Sequence, residues 1–424
     1  MSLTAAISPS DLAPAKNPIF WKLSSSDSTC QYVIFEITLD GSVFMTSQVD
    51  KRADGYFYIQ IDRAIMARFA EKAKANSWLF TPVALGTIQG DNANLVSFQM
   101  RAWEVLINAT TGKATASDGD STPGTGSPDL ALTSTMFSIR AARQHWEKQL
   151  LSDYNSTAAT NKFLTLQPDN YFVVPGQPHF LHFYCAADIS YPVYMKVTVT
   201  LNNGTTTDYY SPAPYTMLKG LHVYPIGTAQ LSGLLATSLA FSTAPTSVQS
   251  YTTRLVKDTS GGGTPSYSNV SELRTYIVNY TNDAYYHFMW LNSFGVYDTY
   301  TLHSGGFWRK LSKGESSVMQ RTKDLTSSFD NATYSGQFGV MAYSIQGEQS
   351  YEVITDYMSA KMSEWLKHIA ESEEVYMRQT TDYGTDSWIP ILVEPMEQVV
   401  NQAKNNMPQI RFKFTLSHPI IRKP

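Results

Sequence analysis

Residues 288–306 read FMWLNSFGVYDTYTLHSGG. Four apolar residues in a row, Phe288-Met289-Trp290-Leu291, run into a turn-like Asn292-Ser293-Phe294-Gly295, and residues 296–302 return carrying Tyr297, Asp298 and Tyr300. A short run that is apolar at every position and closed by a turn is what a strand covered on both faces requires. The stretch therefore predicts a β-hairpin. Its aromatic side chains have two readings. Rings can stack on sugars, which makes Trp290, Tyr297 and Tyr300 the candidate ligand or interaction residues. Aromatic cross-strand pairs are also ordinary sheet packing, worth roughly 0.2–1 kcal/mol each, and the flanking Phe288 and Leu291 favour that second reading.

The composition extends the β reading to the whole chain. At 424 residues the protein exceeds a comfortable single core. Charged residues make up 16% and aromatic residues 13%, with 26 Tyr; Ser, Thr and Asn fill polar positions that Lys and Glu usually occupy. Tyr, Thr, Val and Phe suit half-buried strands. A net charge of −4 supplies no general attraction for nucleic acid or an anionic membrane, and the basic Arg411, Lys413, Arg422 and Lys423 read as a solvated strand face. Cys30 and Cys185 are the only cysteines, too few for a disulfide scaffold or a thiolate zinc site. They read as two buried thiols, with one long-range bridge as the alternative.

Alternation and turn residues set the expected elements. Residues 32–39 and 42–46 flank an Asp40-Gly41 turn, and residues 56–61 lead to Asp62, an N-cap for a helix whose Ile65, Phe69 and Ala73 share a face. Residues 108–128 contain nothing apolar larger than Ala and predict an exposed loop; residues 140–153 read as a short helix or extended arm. Short strands follow at 171–174, 180–184, 194–201, 251–256 and 273–280, with Asn202-Asn203-Gly204 as a hairpin turn. Residues 357–372 predict a helix with Met358, Met362, Trp365, Leu366 and Ile369 on one side. A second helix is expected from Pro395 with Met396, Val399, Val400 and Ala403 on one face. Residues 410–416 alternate, with Ile410, Phe412, Phe414 and Leu416 inward. The expected fold is mainly β with a few short helices, arranged as β-sandwich or jelly-roll-like modules. The expected domains are 1–160, 161–280 and 281–424.

Local chemistry is sparse. His179 and His182 lie three apart, which on a strand sends them to opposite faces, so they predict no shared metal. Asp118-Gly119-Asp120 resembles half of a calcium loop, but Ser-Thr-Pro-Gly follows and no closing Glu appears. Gly261-Gly262-Gly263 lacks the helix start and Lys-Ser/Thr of a phosphate cradle. Paired carboxylates for glycoside hydrolysis would have to come from residues such as Asp298, Glu315 and Asp324, which no spacing unites. The expectation is no catalytic residue, cofactor or metal.

Several framework motifs carry a resemblance. NPIFWKL near the start, FQMRAWE after the first helix, FLTLQP opening the middle part, MWLNSFGVYDTYT and the closing LVEPMEQVVNQAKNNMPQIRFKFTLSHP resemble tail or baseplate proteins of phages and prophages of Bacteroidetes bacteria, over most of the chain. The loop at 108–128 departs from a compact version of that pattern. The resemblance implies a non-enzymatic virion protein that self-associates in a ring and docks other virion proteins. An exterior-like composition points the same way, because MSLTAAISPSDLAPAKNP lacks the basic and apolar regions of a signal peptide. Synthesis in a host cytoplasm and residence in the virion tail are the expected localisation. Two alternatives are a receptor-binding adhesin that holds a host surface glycan through Trp290, Tyr297 and Tyr300, and a glycan-degrading tail enzyme.

Overall fold

A computed structural model describes residues 3–72, 88–107, 110–111, 114–116, 127–142, 154, 161–260, 264–280, 286–302, 307–321, 339–355, 357–380, 386–394, 397–401, 407–416 and 420–422. The protein is mainly β, built from several sheets, with three helices among the described residues. It divides into two compact units, Met1–Thr281 with Leu291–Thr299, and Asn282–Trp290 with Tyr300–Pro424.

The first unit opens with a hairpin whose turn dictates its register. Asp40 and Gly41 adopt φ of 50° and 78°, the paired positive angles of a tight hairpin turn that matches strand twist. They join Cys30–Leu39 to Ser42–Asp50. Along the first strand Val33, Phe35, Ile37 and Leu39 turn inward at every second position. The sheet runs Leu12–Pro14, Leu130–Ile139, Leu95–Ile107, Cys30–Leu39, Ser42–Asp50, with Ser42–Asp50 at one edge. A three-stranded sheet of Leu3–Ile7, Phe20–Ser25 and Phe57–Gln60 shares its core. Trp21 meets Phe98 edge-on at 5.8 Å, and Ile65 and Phe69 of the helix Asp62–Lys72 close the same cluster. Burying each such side chain stabilises by roughly 1.5–3 kcal/mol.

A second pair of sheets completes this unit. Phe180–Cys185 and Gly220–Pro225 pair antiparallel, with Gln89–Gly90 beside the second, and every residue of both longer strands is buried, so both faces are covered. The larger sheet runs Tyr171–Val173, Arg274–Val278, Val248–Asp258, Val193–Leu201, Thr206–Tyr210, with Tyr267–Asn269 beside Val248–Asp258. Its inward face presents Val193, Met195, Val197, Tyr251, Leu255 and Tyr276. Tyr251 stacks on Tyr276 at 5.1 Å and donates its hydroxyl to the Ile226 carbonyl at 2.8 Å, which satisfies the polar end of a buried ring. The Asn202-Asn203-Gly204 turn lies where expected, with Gly204 at φ 84°.

The second unit is one sheet with a helix. Its strands run Tyr297–Leu302, Tyr286–Leu291, Val375–Thr380, Asp386–Val393, Met407–Leu416, Gly339–Ile354, Phe307–Arg321. The helix Ala360–Glu371 is capped by Ser359, whose hydroxyl accepts from the Met362 N–H at 3.2 Å, and it buries Trp365, Leu366 and Ile369. Met407–Leu416 alternates as read, with Ile410, Phe412 and Phe414 buried and Arg411 and Lys413 exposed.

Three expectations need correction or placement. The helix expected from Pro395 is instead the strand Glu397–Asn401, paired antiparallel to Met407–Arg411. The helical spacing of the sequence yields to β-branched Val399 and Val400, which gain ladder partners in Gln409 and Pro408. Within the expected loop at 108–128, Ala114–Ala116 forms a short strand against Val105–Ile107. The backbone hydrogen bonds of that pairing do not depend on large side chains. Most of the remaining loop, Asp118-Gly119-Asp120, Gly261-Gly262-Gly263 and residues 143–153 lie outside the described residues. Cys30 and Cys185 are both buried and free.

Candidate functional site

The aromatic hairpin was the sequence's foremost candidate, and its turn explains its position. Asn292 Oδ1 accepts from the Phe294 and Val296 N–H groups, while its Nδ2 donates to the Leu164 carbonyl at 2.9 Å. Gly295 takes φ 73° and lies so close to Arg140 that a Cβ there would come within 2.5 Å of its backbone. Only glycine fits both conditions. Phe294 packs on Tyr154 at 4.5 Å.

The strands leading from this turn bury the predicted residues. Trp290 is 0% exposed and packs on Trp365 at 5.0 Å; Tyr300 is 9% exposed and meets Trp365 edge-on at 6.0 Å. Tyr297 is 1% exposed. Phe288 stands edge-on to Phe412 and Phe414. A platform for sugar stacking needs an open ring face, and these rings have none. Asp298 is also buried and accepts from the Thr165 hydroxyl at 2.7 Å. Glu315 lies on the strand Phe307–Arg321, and Asp324 lies outside the described residues.

The two histidines point to opposite sides of their strand. His179 stacks on Tyr171 at 5.6 Å, meets Tyr276 and hydrogen-bonds Thr299. Burial, with Arg274 and His182 adding to it, pulls its imidazole down to about 3, so the ring is neutral at physiological pH. His182 instead places Nε2 3.4 Å from Asp91, a carboxylate that also accepts from Asn94 at 2.8 Å. Both rings are packing elements with polar ends. Among the described residues no three His, Cys, Asp or Glu side chains cluster to hold a metal.

The outstanding accessible feature is the edge strand Ser42–Asp50. Seven of its nine residues are exposed, only Met45 and Val49 being half-buried against the core, and it lies last in its sheet. Val43 is 59% and Phe44 41% exposed. Natural edge strands are blunted by Lys, Pro, bulges or short length. Here the sequence SVFMTSQVD has neither Lys nor Pro, and the register shifts once, at Phe44. The chain then enters a turn that builds a cationic–aromatic surface. Lys22 Nζ stands 3.7 Å from the Tyr56 ring centroid, and the Arg52 guanidinium lies 4.6 Å from that of Tyr58, whose hydroxyl donates to Asp54 at 2.7 Å. Hydrogen bonding to Tyr58 raises the Lys22 ammonium pKa. Among the described residues no strand pairs with the outer side of this edge, which leaves it open to strand addition beside oriented charges.

Sequence reading found a strand at 42–46, which the structure extends to Asp50, but not its exposure. Among the described residues no helix is long and apolar enough to cross a membrane. No protein-family model and no curated protein matches this chain.

Proposed function

We propose that this protein is a structural component of a bacteriophage virion, in the tail or baseplate, that acts by associating with copies of itself and docking other virion proteins. The observation that carries the assembly part of this reading is the open Ser42–Asp50 edge, with exposed Val43 and Phe44 and no Lys or Pro to block pairing. Each added ladder hydrogen bond contributes roughly 0.5–1.5 kcal/mol net, so one strand gives a modest contact, and closed rotational symmetry multiplies it. The ladder between Phe307–Arg321 and Gly339–Ile354 adds support. It runs from Phe307↔Val353 to Arg321↔Gly339, whereas Met407–Leu416 joins Gly339–Ile354 only along Ser350–Ile354, and Ile420–Arg422 joins it only along Ile345–Gly347. Its far part is thus two-stranded among the described residues, the form of an arm that reaches a neighbour. The virion assignment itself rests on the framework motifs and the exterior-like composition.

Light scattering coupled to size exclusion, across protein concentrations, tests the assembly. Discrete oligomers that Phe44→Lys converts to monomers are expected. A wild-type chain that stays monomeric at every accessible concentration overturns self-association, and electron microscopy of the source particle tests the placement in the tail.

A further inference from the structure

The first unit contains a cleft of about 250 Å³ beside the buried strand Phe180–Cys185 and the larger sheet. Phe183, Asp188, Ser190, Tyr191, Lys257 and Asn269 are among the residues that line it. Two hydrogen bonds hold the segment that carries Asp188 and Tyr191: Ile189 N–H donates to the Met217 carbonyl at 2.9 Å, and Lys219 N–H donates to Asp188 Oδ1 at 2.6 Å. The wall is therefore formed before any ligand arrives. Tyr191 is 44% exposed, and Lys257 Nζ stands 5.6 Å from its ring centroid, which steadies an aromatic face beside the cleft.

The polar groups here are available in a way that those of the buried hairpin are not. Asp188 Oδ2, the Ser190 hydroxyl and the Asn269 carboxamide make no hydrogen bond to another described residue, and Asp188 and Lys257 form no ion pair with each other or with another described residue. One anion and one cation with no net excess select against a strongly charged ligand. A volume of about 250 Å³ lies below the range of drug-sized sites, roughly 300–1,000 Å³, and suits one six-membered ring. The ligand must be small, near-neutral, apolar on one face and rich in donors and acceptors around its rim.

We propose that this cleft binds a single neutral saccharide ring, its C–H face against the exposed ring of Tyr191 and its hydroxyls paired with Asp188, Asn269 and Lys257. Vicinal hydroxyls match a carboxylate acceptor, and a carboxamide can both donate to and accept from a third. The site does not depend on the virion reading, since a monosaccharide cleft would serve a soluble monomer equally.

Saturation-transfer NMR and titration calorimetry on the full chain, with a panel of neutral hexoses, N-acetylhexosamines and acidic sugars, test it. At least one neutral sugar is expected to bind in the millimolar range. Asp188→Asn and Tyr191→Ala should each weaken it about tenfold or more, equivalent to about 1.4 kcal/mol, with unchanged melting because both residues are exposed. Absence of binding across the panel, binding of acidic sugars alone, or full affinity in both variants overturns the proposal. Light scattering on the same samples reports the assembly state separately, so failure of one reading is not mistaken for failure of the other.

Discussion

Tyr286–Leu291 and Ser42–Asp50 are both strands of glycine-containing hairpins, and both carry aromatic and aliphatic residues. Their fates are opposite. The first lies between Tyr297–Leu302 and Val375–Thr380 in its sheet, and its Phe288 to Leu291 are all buried. Among the described residues the second has a strand on one side only, and it leaves Val43 and Phe44 to solvent. Aromatic content therefore says little about contact with a ligand or partner. What matters is whether the strand has two neighbours and a covered face. The stretch richer in aromatics is the core, and the plainer one is the accessible surface.

Four substitutions would break or sharpen this contrast. Trp290→Ala should have the largest effect, because a fully buried indole packed on Trp365 leaves a cavity costing roughly 3–5 kcal/mol. Denaturant unfolding would measure it, and an unchanged midpoint would move Trp290 out of the core. Gly295→Ala should follow, losing roughly 1–3 kcal/mol to a left-handed backbone, with a steric conflict against Arg140 in addition. Gly295→Asn, which tolerates positive φ, should recover little of that loss because its Cβ meets the same Arg140 backbone; full recovery would show strain rather than crowding as the cause.

The third substitution lies in the turn that feeds the open edge. Partial burial pushes the Asp40 carboxyl up, but Lys72, Arg68 and the Ser97 N–H together hold it below the ordinary range. A depressed folded pKa contributes stability that is present above the unfolded value, near 3.8, and is lost as pH falls through the folded value. Asp40→Asn should thus cost about 1–2 kcal/mol at neutral pH, and the gap from wild type should close as pH falls below the unfolded value. Unfolding free energies measured across that range decide it, and a gap independent of pH would deny the ion pairs their role. Phe44→Lys should change stability least, within roughly 0.5 kcal/mol, while abolishing the oligomers. If it unfolds the chain instead, the edge strand is a packing element and the contrast fails.

The amino-acid sequence by itself determined the β class, the hairpins at Asp40-Gly41 and Asn202-Asn203-Gly204, the helix that buries Trp365, Leu366 and Ile369, and the alternation of Ile410, Phe412 and Phe414. Period-two burial, turn angles and capping each depend on residues a few positions apart, so they are written locally. The tertiary structure alone decided the rest. Glu397–Asn401 became a strand because Met407–Arg411 pairs with it, although its spacing was helical. Trp290, Tyr297 and Tyr300 became core because other strands and a helix cover them, and the saccharide cleft exists because Phe183, Asp188, Tyr191, Lys257 and Asn269 converge from separate strands and a loop. Which strand lies at an edge depends on pairings between distant segments, and no local pattern of residues encodes an absent neighbour.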